Sequence, residues 1–308
     1  MEARLSAPLD PQRADFSNPI YDPVRPALER LAADPGWPDV RRLNLLAQEL
    51  GAEPRTSGGL AVRFAAPRPD RSNYELRVHA SGEVATRPAN WHDLFNALAW
   101  IAFPRTKAAL NARHAGAIPG EGSRRGPLRD LLTIFDEGGA IVAYSDRSLV
   151  ELIRKFRWRE LFWDNRAEVL SALRIMVVGH AVMEQALQAW PGITCKVLFM
   201  AVTRHQLALP PARLRAQLDE RTAAWFEAAA ATLSPRALAP LPVFGYPGWL
   251  AGNGNEGFYD DTRYFRPLGR AGVAVESPPG VGQAAAVRKR RGKSGLRRAG
   301  CGVTPRRV

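Results

Sequence analysis

A proline at position 104 divides the most apolar stretch of the chain and limits how that stretch can fold. Proline lacks the backbone N–H that a helix interior needs, but it fits the first turn of a helix. The sequence "WHDLFNALAWIAFPRTKAALNARH" therefore predicts two helices, over residues 91–102 and 104–114. Asn90 is a suitable N-cap for the first helix. Because only Phe103 separates the two helices, they are expected to be neighbours.

Each of these two helices carries polar side chains along one face. At about 100° per residue, His92 and Asn96 lie opposite the main apolar face of the first helix. Lys107, Asn111 and His114 share one arc of the second helix. Asparagine is a poor helix former, so its position in mid-helix indicates a hydrogen-bonding role. We expect both polar faces to meet in one pocket for a small polar or anionic ligand. The alternative is structural: the imidazoles and amides satisfy buried backbone groups, and the lysine extends to solvent.

A third polar candidate follows the buried strand predicted by "ALRIMVV". His180 and Glu184 are four residues apart, which places them on one helix face and suits a metal ion or a proton-transfer pair. His180 also lies near a helix N-terminus, where the helix dipole favours a neutral imidazole. A capping or core hydrogen bond is the alternative. The candidate catalytic residues are therefore His92, Lys107, Asn111, His114 and His180.

Two acidic pairs are interpreted as structural. Asp136 and Glu137 precede a Gly-Gly pair, and this pattern is typical of a turn between two strands. Asp260 and Asp261 lie among aromatic residues close to Arg263, which predicts ion pairs with buried arginines. The chain has no glycine-rich phosphate loop and no nucleophile motif around a serine, threonine or cysteine, so those enzyme classes are not indicated.

Helix and strand patterns are interspersed along the body of the chain. Residues 37–268 are predicted to form one α+β domain with a mixed, largely antiparallel sheet and the helix pair at 91–114 in its centre. Two hairpins are expected, turning at "SG" (residues 81–82) and at "GG" (residues 138–139).

The two ends of the chain differ in composition from its body. Residues 1–36 are rich in proline and predict an extended arm with one short helix, which docks if Phe16, Ile20 and Tyr21 pack on the body. Residues 269–308 contain ten Lys or Arg and one Glu, so they carry nine of the thirteen net positive charges. Such a tail is predicted to be disordered, either as a solvated extension or as a contact for nucleic acid through phosphate neutralisation.

The chain has two cysteines, no apolar run near the roughly 18 to 20 residues of a membrane span, and no apolar leader at its start. These features predict a cytoplasmic protein that makes no membrane contact.

Several stretches resemble one known family: the helix-pair sequence quoted above, "LLTIFDEGGAIV", "LFWDNR", "GHAVMEQAL" and "PLPVFGYPGW" followed by "FYDD". Over residues 10–268 the chain resembles the bacterial family called domain of unknown function three thousand and twenty-five. The resemblance implies a one-domain cytoplasmic bacterial protein and brings no activity, substrate or cofactor. We therefore expect a pocket of His, Lys and Asn that binds a small polar or anionic ligand, with hydrolytic or acid–base chemistry. The alternative is a non-catalytic interaction protein, or one associated with nucleic acid through its tail.

Overall fold

The computed structural model describes residues 11–69, 73–120 and 125–268 of the chain. Its helices in these residues are α1 (Arg25–Leu31), α2 (Val40–Glu49), α3 (Tyr74–Ser81), α4 (Trp91–Ala102), α5 (Pro104–Ala117), α6 (Pro127–Gly138), α7 (Arg147–Arg154), α8 (Arg166–Ala172), α9 (His180–Gln185), α10 (Arg204–Leu207) and α11 (Pro211–Glu227). Its strands are β1 (Arg63–Ala65), β2 (Glu83–Ala85), β3 (Gly139–Tyr144), β4 (Leu173–Val177), β5 (Thr194–Ala201) and β6 (Ala239–Pro242). Within the same residues, no helix is both long enough and apolar enough to span a bilayer.

The main sheet has four strands in the order β4–β3–β5–β6. Strand β3 pairs antiparallel with β4 and parallel with β5, and β5 pairs antiparallel with β6. Five of the six residues of β3 are buried, so both faces of the sheet are covered at its centre. The edge strand β6 contains two prolines, Pro240 and Pro242. The expected α+β class with a mixed sheet is confirmed.

The helix pair α4 and α5 forms as the sequence predicts. The side chain of Asn90 accepts a hydrogen bond of 2.9 Å from the backbone N–H of Asp93, and Pro104 is the first residue of α5. Eleven of the twelve residues of α4 are buried. This burial includes Asn96 on the face predicted to be polar, so that face is covered as well.

The expected hairpin around residues 81–82 is wrong. Residues 74–81 form helix α3, while β1 and β2 pair in parallel. Asn73 caps α3 by accepting hydrogen bonds from two backbone N–H groups, and Gly82 ends it with φ +72°. A β-carbon at Gly82 would lie 2.2 Å from the carbonyl oxygen of Ala61. A cap and a left-handed glycine thus overrule the short alternating pattern between them.

The second expected hairpin is half wrong. Residues 139–144 do form a strand, but residues 127–138 form helix α6 instead of a strand. The buried side chains of α6 recur at helical spacing: Leu128, Leu131, Leu132 and Phe135. Asp136 and Glu137 therefore lie in the last turn of a helix and not in a hairpin turn, and this placement brings them to the site described below.

The proline-rich beginning of the chain contributes to the core. Ile20 and Tyr21 are fully buried, and the hydroxyl of Tyr21 donates a 3.1 Å hydrogen bond to the carbonyl of Met183. Phe16 packs edge-on against the ring of Tyr21. The predicted short helix is present as α1. The basic tail predicted over residues 269–308 lies outside the described residues.

Candidate functional site

A cavity of about 360 Å³ opens beside helices α3, α4, α5, α6 and α9. Nine titratable side chains line it, and the six that matter below are Glu75, His92, His114, Asp136, Glu137 and His180. They come from five different helices, so the fold and not any local motif gathers them.

Two histidines meet at one end of this cavity. The Nε2 atoms of His92 and His180 are 3.1 Å apart, and the two rings lie edge to face with centroids 4.4 Å apart. His92 is in the first turn of α4, and His180 is the first residue of α9, directly after Gly179. His180 is buried, whereas the side chain of His92 is one-third exposed.

Three carboxylates surround this histidine pair. Glu137 lies on the side of the Nε2 atoms, at 4.0 Å from His92 and 3.7 Å from His180. Glu184 lies on the other side of His92, with its Oε2 atom 3.2 Å from Nδ1. The Oδ2 atom of Asp136 is 3.9 Å from Nδ1 of His180. Each imidazole therefore has its own carboxylate on the Nδ1 side, and both share Glu137 on the Nε2 side.

Lys107, which is not part of the cavity lining, holds Asp136 in place. Its ammonium group is 2.5 Å from Oδ1 of Asp136 and 2.8 Å from Oδ1 of Asn96, and it also lies over the ring of Trp100. Burial raises the pKa of Asp136, but the Lys107 charge and the neighbouring polar groups outweigh burial, so that the pKa falls below its ordinary value. Asp136 is therefore a carboxylate at neutral pH.

Glu75 and His114 also line the cavity. The amide of Asn111 donates hydrogen bonds to the backbone carbonyl and to Oε2 of Glu75, at 2.9 and 2.7 Å. Burial and, next, the charge of Asp136 raise the pKa of Glu75 to about 7. Burial lowers the pKa of His114 to about 4, so its imidazole is neutral. Its Nδ1 atom makes no hydrogen bond within the described part of the chain.

The predicted site residues are brought together to different degrees. His92, His114 and His180 line the cavity. Asn96, the other polar residue predicted on the face of α4, lines it too. Lys107 and Asn111 lie behind the lining and reach it through Asp136 and Glu75. The metal pair proposed from spacing does not meet as a pair, because Glu184 contacts His92 while His180 faces Glu137.

The sequence interpretation missed Glu75, Asp136 and Glu137 as site residues. The signal for the last two was the helical spacing of apolar residues in α6, which the Gly-Gly pair obscured. Asp260 and Asp261 make the predicted ion pairs, but their arginines are not buried: the side chain of Arg159, which contacts Asp260, is 50% exposed, and that of Arg263, which contacts Asp261, is 90% exposed.

Burial also sets the ionisation of His180. Burial lowers the pKa of this imidazole to about 3, although the charge of Asp136 acts in the opposite direction. His180 is therefore neutral at physiological pH and has a nitrogen lone pair free to bind a proton donor or a metal ion.

Comparison with known protein families gives a match to this chain. The model of a family described as "Protein of unknown function (DUF3025)" matches residues 62–269, about two-thirds of the chain, and this range includes every residue of the cavity named above. The resemblance noted in the sequence is thereby confirmed. No curated protein and no solved structure matches the chain significantly.

Proposed function

The chain belongs to the DUF3025 family, whose function is unknown, so we propose a function from the site itself. We propose that the cavity binds a small polar ligand and acts on it by acid–base chemistry. The single observation that carries this proposal is the convergence of Glu75, three histidines and two further carboxylates on one cavity that opens to solvent. A network that served only the core would have no reason to border an opening.

Glu75 is the group best suited to transfer a proton. A general acid or base works best when its pKa is near the working pH, and the pKa of Glu75 is about 7. Asn111 fixes the orientation of the carboxyl group through Oε2. The nearby imidazole of His114 is neutral and can donate or accept a hydrogen bond to a ligand. These properties support an acid–base role in this cavity.

The test uses para-nitrophenyl esters and para-nitrophenyl phosphates as general probes of hydrolysis. We expect the full chain to turn over at least one of these probes near neutral pH. The variant Glu75→Gln keeps the acceptor for Asn111 but cannot titrate, and it should lower turnover by roughly 10²- to 10⁴-fold. Glu29→Gln, at an exposed position of α1, is the matched control and should leave turnover unchanged.

Two results would contradict this proposal. One is that no probe is turned over and none changes the melting temperature of the full chain. The other is that Glu75→Gln hydrolyses the probes at the rate of the control variant while its circular dichroism spectrum remains native.

A further inference from the structure

We infer that His92, His180 and Glu137 bind one divalent transition-metal ion of the zinc class at the inner end of the cavity. The inference deepens the proposed function. It rests on that function in one respect: the metal ion and the ligand are placed in the same cavity. Among the described residues, these three side chains offer one ligand atom each, and the three atoms lie within 4.8 Å of one another.

The distances between the ligand atoms fit a single ion. Zinc binds imidazole nitrogen and carboxylate oxygen at about 2.0–2.2 Å in tetrahedral geometry, which places neighbouring ligand atoms about 3.3–3.5 Å apart. The two Nε2 atoms are 3.1 Å apart, Oε1 of Glu137 lies 4.0 Å from that of His92, and Oε2 of Glu137 lies 3.7 Å from that of His180. With one oxygen taken from Glu137, the three ligand atoms lie within 4.8 Å of one another. The carboxyl group of Glu137 is partly exposed, so a rotation that moves one oxygen towards both nitrogens, or binding through both oxygens, would complete the geometry.

The proton positions of the two imidazoles also call for a cation. Nδ1 of His92 faces Glu184 and is best protonated, which leaves a lone pair on its Nε2 atom. Nδ1 of His180 makes no hydrogen bond within the described residues, but the negatively charged carboxylate of Asp136 lies 3.9 Å away and favours a proton on this atom. With both protons on Nδ1, two lone pairs face each other across 3.1 Å and repel, whereas a proton on either Nε2 atom joins the rings by a hydrogen bond. A metal ion between them removes this repulsion, and an additional proton is the competing occupant.

The groups behind the histidines match the usual surroundings of a bound metal ion. Imidazole ligands commonly donate their second N–H to a carboxylate, which fixes the tautomer and orients the ring. Glu184 takes this position for His92, at 3.2 Å from Nδ1. Asp136 lies on the Nδ1 side of His180 at 3.9 Å, which is too far for a hydrogen bond without a small movement. Asp136 is held in turn by Lys107. A pair of histidines that only packed in the core would not require a carboxylate behind each ring.

The ligand set has the composition of a catalytic site and not of a structural one. Two histidines and one carboxylate leave the fourth position of a tetrahedral ion unfilled, and all three residues line the cavity from which a ligand could fill it. A metal ion with an open position binds water and lowers the pKa of that water.

The experiment measures binding of the metal alone, without turnover. The full chain is stripped with a chelator and titrated with Zn²⁺ by calorimetry, and with Co²⁺ by visible absorption. We expect one equivalent of each metal to bind and the Co²⁺ complex to show the intense visible bands of tetrahedral or five-coordinate geometry. His92→Ala and Glu137→Gln should each weaken binding by at least about 100-fold, and Glu184→Gln by about tenfold. The exposed His205→Ala on α10 is the matched control and should bind as the wild type does.

The possible outcomes separate this inference from the proposed function. Equal binding by His92→Ala, Glu137→Gln and the control, a sulfur-to-cobalt charge-transfer band, or no binding at all would each overturn the metal site. Probe turnover that survives complete removal of metal would support the acid–base function while refuting a metal ion in it. Binding of one equivalent with the expected loss in the variants would support the metal site even if no probe is turned over.

Discussion

At the scale of single residues, Lys107 is the side chain on which the inner half of the site depends. Its ammonium group is buried, with a side chain only 4% exposed, and it bonds two acceptors that border the cavity. A buried charge pair contributes little net stability, but loss of one partner leaves the other charge buried and uncompensated. The sequence predicted that Lys107 contributes to a pocket, but not that it does so by neutralising Asp136.

We therefore expect Lys107→Met to lower the free energy of unfolding by about 3 kcal/mol, because the carboxylate of Asp136 is then left without its cation. Urea unfolding at pH 7 measures the loss. The double variant K107M/D136N should recover part of it, since it removes the stranded charge. Lys155→Met, at an exposed position, is the control and should stay within about 0.5 kcal/mol of the wild type. A single variant as stable as this control would contradict the buried pair.

Glu75 leads to a prediction about pH. Its pKa is raised from 4.5 to about 7 in the folded state by burial and by Asp136, while Asn111, Lys107 and Arg129 act in the opposite direction. Below pH 4.5 the carboxyl group is protonated in both states, so its stabilising effect is complete. Between pH 4.5 and 7 the unfolded chain loses this proton first, and stability falls as pH rises.

The variant Glu75→Gln lacks this dependence. Its free energy of unfolding, relative to that of the wild type, should therefore increase by about 3 kcal/mol between pH 4.5 and pH 8. Urea titrations of both proteins at the two pH values give the difference, from which groups common to both cancel. A constant difference across this range would mean that the pKa of Glu75 is not raised.

At the scale of the elements, the helices that could be predicted are those with a capping residue or a proline at their ends. Asn90 and Pro104 mark the bounds of α4 and the start of α5, and both helices form as expected. Helix α6 was predicted as a strand because "LLTIF" contains β-branched and aromatic residues and a Gly-Gly pair follows it. The helical spacing of its apolar residues is the opposing signal, and the burial of those side chains in the core decides for the helix. The three histidines of the site could therefore be predicted from the sequence, but the carboxylates on α3 and α6 could not.

The junction between α6 and α9 depends on Gly179. A β-carbon at this position would lie 2.6 Å from the carbonyl oxygen of Glu137 and 2.6 Å from the backbone nitrogen of Gly139. Real contacts of a β-carbon with backbone are longer, so Gly179→Ala has to separate α9 from the end of α6. We expect a loss of about 2 kcal/mol or more in the free energy of unfolding, by overpacking.

The same displacement moves His180 away from Glu137, so Gly179→Ala should also bind Zn²⁺ more weakly than the wild type does. Gly116→Ala is the control: it lies within α5 with no atom near the added methyl group, and it should stabilise the protein by about 0.5–1 kcal/mol. If both alanine variants are equally stable, the close approach at Gly179 does not limit the packing.

At the scale of the whole molecule, the core extends beyond the part that matches the family. The match begins at residue 62, yet Ile20 and Tyr21 are fully buried, and the side-chain amide of Asn18 donates a 2.8 Å hydrogen bond to the carbonyl of Trp249. The beginning of the chain therefore packs against the closing segment of the body. The sequence allowed for this docking but could not establish it, because proline-rich segments have little pattern of their own.

The excess positive charge of the chain leads to a prediction about its tail. We expect the full chain to bind DNA or RNA without sequence preference, and binding should weaken steeply as salt rises because released counterions drive it. A truncated chain ending at residue 268 should lose this binding, since residues 269–308 carry nine of the thirteen net positive charges. Fluorescence anisotropy at several salt concentrations measures both proteins. Equal binding by the truncated chain would show that the tail is not the contact.

The two prolines of β6 affect whether copies of this protein pair through their sheet edges at high concentration. Proline has no N–H, so a strand that arrived at this edge would find no donor at Pro240 or Pro242, which are half of the residues of β6. Sheet edges with complete donors and acceptors invite pairing between molecules, and that pairing leads to aggregation. Three of the four residues of β6 are buried, so this edge is also largely covered. The two prolines therefore disfavour growth of the sheet from one molecule into the next on this side.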